Sequence, residues 1–171
     1  MPTEGSAERF DFGTVEGRSV EAAFDGGLVT SDAGGLLLGA TDRAIGLVGR
    51  FARCFCDHRR RDLIEHAVAT LVGQRVFGIA LGYEDLNDHD ELRHDPMLAI
   101  LAGKLLARRA ACAPVAGKST LNRLELSGAE PSRYHKIACD GEAIERLVVD
   151  LLEGGARAGA ATDHSRPGRH G

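Results

Sequence analysis

The sequence predicts a mainly α-helical domain that opens on an N-terminal β-hairpin. Apolar residues recur at helical spacing over residues 62–77, 97–110 and 131–152, the strongest signal for buried-face helices. Aromatics are only 5% of the chain and tryptophan is absent, so Leu, Ala, Val and Ile must fill the core, which suits helices. Near the N-terminus the pattern changes to short β-like runs around Asp25-Gly26-Gly27, a turn signal.

With 171 residues the chain is long enough for one domain with a sizeable core. Its 43% hydrophobic and 27% charged residues are ordinary for a soluble globular protein. A net charge of -4 excludes a uniformly basic coat but leaves room for a local basic face. Cys54, Cys56, Cys112 and Cys139 show no disulfide-framework spacing and read as reduced thiols. The polar N-terminus carries no signal pattern and no apolar run approaches a membrane span, so a cytoplasmic protein without membrane contact is expected.

Taken in order, residues 1–18 form a flexible segment in which Phe10 and Phe12 could mark a short strand at 9–13. The hairpin is expected over 19–30, with strands at 20–24 and 28–30. Ser31 or Asp32 caps a helix carrying Leu36, Leu37, Ala40, Ile45 and Leu47, which Gly46 stops or bends. Residues 48–55 continue as helix or turn, and 56–61 are a polar, basic connection. The helix at 62–77 bears Leu63, Ile64, Ala67, Val68, Leu71, Val72 and Val76 on one wide stripe, and 78–83 break it. Residues 87–93 suit a short helix; Asp95 caps the next, with Pro96 at its favoured first position and its body at 97–110. After a loop at 112–117, Ser119 or Thr120 caps a helix to Leu126. Pro131 opens the last helix, to Leu152, on a face including Tyr134, Ile137, Ile144, Leu147, Val148 and Leu151. The domain thus spans 19–152, and the Gly-rich residues 153–171 are expected to be disordered.

The most distinctive polar stretch is GYEDLNDHDELRHDP (82–96), with Glu84, Asp85, Asp88, Asp90, Glu91, Asp95, His89, His94 and Arg93. Its carboxylates read as helix caps and as partners of Arg93, Arg75 or His94; a magnesium site is the competing reading, because hard cations prefer carboxylate oxygens. Cys54, Cys56 and His58, with His66, His89 and His94, raise a small metal-binding regulator as an alternative, but the pair spacing matches no standard zinc site. APVAGKST (113–120) resembles the end of a phosphate loop, yet Cys112 stands where the pattern requires glycine. Ser119 and Thr120 are therefore read as capping residues and no nucleotide as a ligand. The run Arg50, Arg53, Arg59, Arg60 and Arg61 is either a solvated loop or a set of phosphate contacts, and the residues alone leave both open.

Four strings in order, FDGGLVTSDAGGLLL (24–38), CFCDHR (54–59), QRVFGIALGYEDLNDHDELRHDP (74–96) and AGKSTLNRLEL (116–126), resemble the N-terminal region of bacterial insertion-sequence transposases of the thirteen-eighty group. The resemblance covers roughly residues 20–152. It implies that the intact family continues into a ribonuclease-H-like domain whose Asp-Asp-Glu site uses magnesium for two-metal DNA cleavage and joining. It also implies that this region binds the element's terminal repeats or mediates subunit contacts. DNA contact is assigned to Arg50, Arg53, Arg59, Arg60, Arg61, Lys118 and Arg123, with self-association as a further possibility. In the family a strand resembling IILDLDAT, carrying the first catalytic aspartate, follows the last helix. Here the chain reads DHSRPGRHG (163–171). Written as GAT CAT TCT CGA CCT GGA CGC CAC GG and read from the second base, those codons give IILDLDAT. The residues present set the first base of each shifted codon, apart from the choice of a TCN codon for Ser165; the middle bases and a CGN codon for Arg169 are also chosen. The expectation is therefore a truncated transposase fragment, shifted out of frame between Glu153 and Asp163. The catalytic domain would then be absent, with no catalytic residue, resident metal or cofactor in this chain.

Overall fold

The computed structural model describes residues 9–23, 32 and 34–163, with the side chains of the last helix through Gly154. Strand β1 (Arg9–Val15) pairs antiparallel with β2 (Arg18–Ala23). Helices α1 (Gly35–Ile45) and α2 (Leu47–Ala52) follow, then strand β3 (Phe55–Asp57) and a single 3-10 turn, Arg61–Leu63. The chain continues through α3 (Val68–Ala80), a second 3-10 turn at Leu86–Asp88, α4 (His89–Leu92), α5 (Pro96–Leu101) and α6 (Lys118–Glu125). It ends in β4 (Ile137–Cys139) and α7 (Gly141–Asp163). The mainly helical class with an N-terminal hairpin holds.

The described hairpin lies N-terminal to the one expected at 19–30. Glu16 (φ 49°) and Gly17 (φ 76°) form its two-residue loop, and two positive φ values match the twist of the flanking strands. The run at 9–13 is thus a full partner strand rather than an isolated one, with a register shift between Asp11 and Thr14 where Gly13 N–H donates to the Asp11 carboxylate at 2.7 Å. The expected turn at 25–27, the strand at 28–30 and the Ser31 cap lie outside the described residues.

Gly46 ends α1 in the left-handed conformation (φ 67°), and the Asp42 carboxylate accepts from Val48 N–H (2.8 Å) to start α2. The N-cap of α1 is Gly34, with no side-chain cap, so Asp32 does not cap the helix as expected: its backbone oxygen accepts from Gly35 N–H (2.8 Å) and its carboxylate accepts from the Tyr83 hydroxyl (2.9 Å). The third helix begins at Val68 instead of residue 62. Residues 64–67 stay out of the helix, with Ile64 and Ala67 extended and a bend between them, because Glu65 and His66 are fastened to Lys104: its ammonium donates to Glu65 O (2.6 Å) and Glu65 Oε1 (2.7 Å). The helix then runs through Gly78 to Ala80. Gly78 is no breaker; a Cβ there would meet the His89 ring at 2.9 Å, so glycine admits that ring against the helix.

Asp95 and Pro96 start α5 as expected, the Asp95 carboxylate accepting from Leu98 N–H at 2.7 Å. The helix stops at Leu101, not 110, because Gly103 (φ 70°) closes a Schellman turn in which Lys104 N–H donates to Ala99 O (2.9 Å). The largest departure is at 131–140. In place of a helix from Pro131 the chain makes a turn and then β4, which pairs with β3 (Phe55↔Cys139, Cys56↔Ala138, Asp57↔Ile137). Ile137 and Ala138 enter the core, and the Asp140 carboxylate caps α7 by accepting from Ala143 N–H (3.0 Å). Helix α7 continues past Leu152 to Asp163; Ala156, Ala158, Ala160 and Ala161, the best helix formers, offset the glycines there. Residues 164–171 lie outside the described residues.

Helix α3 is central to the core. Leu71 and Val72 meet Ala116, Leu121, Leu124 and Ile137 on one side, while Phe77 packs with Leu98, Ala99, Ala102 and Val115 on the other. Burying this Leu and Val set stabilises the fold by about 1.5–3 kcal/mol per large side chain. No helix among the described residues is long and apolar enough to cross a membrane.

Candidate nucleic-acid interface

The β3–β4 pairing brings two basic loops side by side. His58 N–H donates to Lys136 O (2.8 Å), joining the connection after β3 to the turn before β4. That turn is closed by Ser132, whose Oγ accepts from Tyr134 N–H (3.3 Å) and His135 N–H (2.9 Å), while Ser132 N–H donates to His135 O (2.7 Å). Between the loops and α6 lies a cleft of about 130 Å³ lined by Arg59, Thr120, Arg123, Tyr134, Lys136 and Ile137. Three of these residues are cations, two carry hydroxyls and none is a carboxylate.

Arg59 is held rather than free. It makes a two-pronged contact with Asp57 (Nε–Oδ1 2.8 Å, Nη2–Oδ2 2.7 Å) and donates to His66 O (2.9 Å). Burial raises the Asp57 carboxyl, but the hydrogen bonds from Arg59 outweigh it and leave the group below its ordinary value. The guanidinium is therefore fixed in place and its charge is compensated by Asp57. Arg123 and Lys136 have no ion-pair partner among the described residues and give the cleft its uncompensated charge. Arg133 sits 5.7 Å from the centroid of the Tyr134 ring.

Of the seven expected DNA contacts, the structure brings Arg59 and Arg123 to this cleft. Arg60 is exposed beside it in sequence and paired with Asp62 (2.6 Å); the exposed Arg61 has no side-chain partner among the described residues. Arg50 and Arg53 line a different, open cleft of about 780 Å³ against α7, where Glu142, Glu145 and Asp150 offset them and Arg50 meets Asp150 at 3.3 Å. Lys118 is engaged by Asp90 (3.4 Å) and Asn87 (3.1 Å). Sequence reasoning missed Arg133, Tyr134 and Lys136 because it placed them on a helix; the signal available was Pro131-Ser132, a turn opener rather than a helix start.

The phosphate-loop lookalike is filled by the protein itself. Asp90 Oδ1 accepts from Lys118 N–H (3.0 Å), so a carboxylate from α4 occupies the start of α6. Gly117 is the N-cap residue and Ser119 and Thr120 lie inside the helix, which corrects their expected capping role. That backbone hydrogen bond, with the Lys118 charge, holds Asp90 below the ordinary carboxyl value. Other members of the acidic stretch are also used locally: Asp85 accepts from Asn87 N–H (2.8 Å), Asp95 caps α5, and His89 is fully buried against Gln74. Among the described residues no group of three or more His, Cys, Asp or Glu side chains is placed to hold a metal ion, so the metal-regulator alternative gains no support.

These features describe a mainly helical domain with a small cleft on which Arg123 and Lys136 stand without ion-pair partners among the described residues. The family model for transposase DDE domain group 1 matches residues 12–153, and the chain belongs to that family. No curated protein and no solved structure matches it.

Proposed function

We propose that this chain is the DNA-engaging, non-catalytic N-terminal portion of a cytoplasmic transposase of the thirteen-eighty group, and that it contacts the backbone of the element's terminal repeats. The observation that carries this reading is the convergence of Arg59, Arg123 and Lys136 on a cleft with no carboxylate in its lining. The Arg123 guanidinium and the Lys136 ammonium, without an ion-pair partner among the described residues, favour phosphate oxygens over neutral or cationic ligands, while Arg59 stands beside them already paired with Asp57. Arg60 and Arg61 are exposed on the loop that follows Arg59, Arg60 paired with Asp62.

The test is equilibrium binding of the full chain to terminal-repeat duplex over a salt series. Affinity should fall steeply with salt, and the double variant Arg123→Ala, Lys136→Ala should lower the slope of log K against log salt by about 2. The triple variant Arg59→Ala, Arg60→Ala, Arg61→Ala should weaken binding to all sequences alike. Salt-independent binding, or an unchanged slope in both variants, overturns the reading.

A second role, subunit contact, is supported by α7, where Val148, Val149 and Leu152 are 50, 52 and 70% exposed on one helix. If that surface joins two copies, Leu152→Glu should shift the mass measured by light scattering from dimer to monomer; an identical mass for both proteins removes this role.

We also propose that residues 163–171 are read out of frame and that the catalytic domain is encoded in the shifted frame. The coincidence of the shifted codons with IILDLDAT supports this. Sequencing the locus decides it: absence of further transposase-like coding in the shifted frame downstream defeats the proposal.

A further inference from the structure

We infer that the cleft and Tyr134 together take a nucleotide whose base is out of the duplex stack, the phosphate lying between Arg123 and Lys136 and the base on the Tyr134 ring. This rests on the DNA-engaging reading above and specifies its substrate as single-stranded or locally unpaired DNA.

The cavity, at about 130 Å³, is well below the roughly 300–1,000 Å³ that encloses a whole small-molecule ligand. It suits one compact anionic group belonging to a larger molecule that continues outside. A phosphodiester meets that description, and two cations and a hydroxyl lining the cleft supply its hydrogen bonds: Arg123, Lys136 and Thr120.

Tyr134 is 74% exposed, yet its position is not loose. Its backbone is fixed by the Ser132 turn, with Ser132 Oγ accepting from both Tyr134 and His135 N–H. The ring packs in neither of the two core clusters, and a guanidinium, Arg133, lies 5.7 Å from its centroid. An exposed aromatic face on a turn fixed through its backbone, beside cations, is an arrangement that binds unstacked bases: the cations follow the backbone while the ring accepts any base face. In an intact duplex base faces are covered by their neighbours, so this ring gains little there and much at an unpaired end.

The experiment measures binding of the full chain to three probes of one sequence: a single strand, a blunt duplex, and a duplex with an unpaired overhang. Variants are Tyr134→Ala, Tyr134→Phe and the Arg123→Ala, Lys136→Ala pair, with thermal melting as a check on folding. The single strand and the overhang should bind more tightly than the blunt duplex. Tyr134→Ala should weaken both by roughly 5- to 150-fold, the loss expected of one base–aromatic stack. Tyr134→Phe should retain them, and blunt-duplex binding should not respond to either. If Tyr134→Ala changes nothing while the cation pair abolishes binding, the stacking inference falls and the DNA-engaging reading stands. If Phe fails to rescue, the hydroxyl and not the ring makes the contact, and the inference is overturned. If no probe binds at all, the underlying reading fails with it.

Discussion

Gln74 closes its side-chain amide on the backbone of Ala116, donating to its oxygen (2.7 Å) and accepting from its N–H (2.8 Å) across 42 residues of chain. The side chain is fully buried in α3 and also meets His89 Nδ1 at 3.1 Å. One amide thus ties the central helix, the acidic stretch and the loop before α6 together. Replacing Gln74 by Leu keeps the volume but strands both Ala116 groups in the core. Each buried unsatisfied group costs about 1–3 kcal/mol, so denaturant unfolding should show a loss of about 2 kcal/mol or more. A loss below about 1 kcal/mol would mean that the pairing is not needed.

Asp90→Ala should lower the melting temperature by a few degrees, because it uncaps the first turn of α6 from outside the helix. It should not create a nucleotide site, since Gly117–Thr120 holds the remnant of a phosphate loop without its first glycine. Calorimetric titration with ATP should be flat for the native chain and the variant; saturable binding lost in Lys118→Ala would refute this.

Asp95→Ala removes a cap supplied within the same helix. The expected cost is about 1 kcal/mol, with Asp95→Ser largely restoring it. Stability left intact while magnesium affinity collapses would point to metal ligation instead.

Acid should weaken the fold beginning near neutrality. His66 is buried beside Lys104, with Glu65 and Arg59 near it; burial and then the Lys104 charge push it down to about 4. His89 is also lowered, first by burial and then by Arg75, with Asp88 and Glu125 opposing. Both bases bind protons more readily unfolded, so stability is complete above about 6.5 and falls as pH drops from there towards 4. Below that range Asp57 and Glu65, each held under its ordinary value by Arg59 and Lys104 against the opposing effect of burial, lose their charge and extend the decline. Denaturant midpoints at pH 7.5, 6 and 5 check this; His66→Gln should flatten the upper part of the curve, and an unchanged slope would contradict it.

Local signals in the sequence were sufficient wherever one residue decides one turn. Gly46 ended a helix, and Asp95-Pro96 began one, because capping chemistry is written in adjacent residues. The cleft was half legible: Arg59 and Arg123 were candidates, but nothing local relates them to Lys136. Their meeting depends on β3 and β4, three residues each, too short for periodicity to reveal and set by pairing across the whole domain. Lys118 misled for a similar reason. Its neighbours suggested phosphate, whereas its partner, Asp90, lies 28 residues away. The helical extension of α7 was hidden by giving glycine more weight than the alanines between them.

The β3–β4 pair also sets an order of assembly. Phe55 emerges from synthesis long before Cys139, and until that partner arrives β3 is a bare edge beside an uncovered Leu71–Leu124 surface. Helices α3 to α6 can gather by short-range contacts, but the final seal waits on a loop closure spanning most of the domain. A nascent chain halted before Ile137 should therefore be a sticky intermediate, prone to recruit another strand at that edge. Chains released at residues 130 and 154 compared for aggregation and amide exchange would expose the difference; equal protection of Leu71 in both would show that the helices need no closing strand.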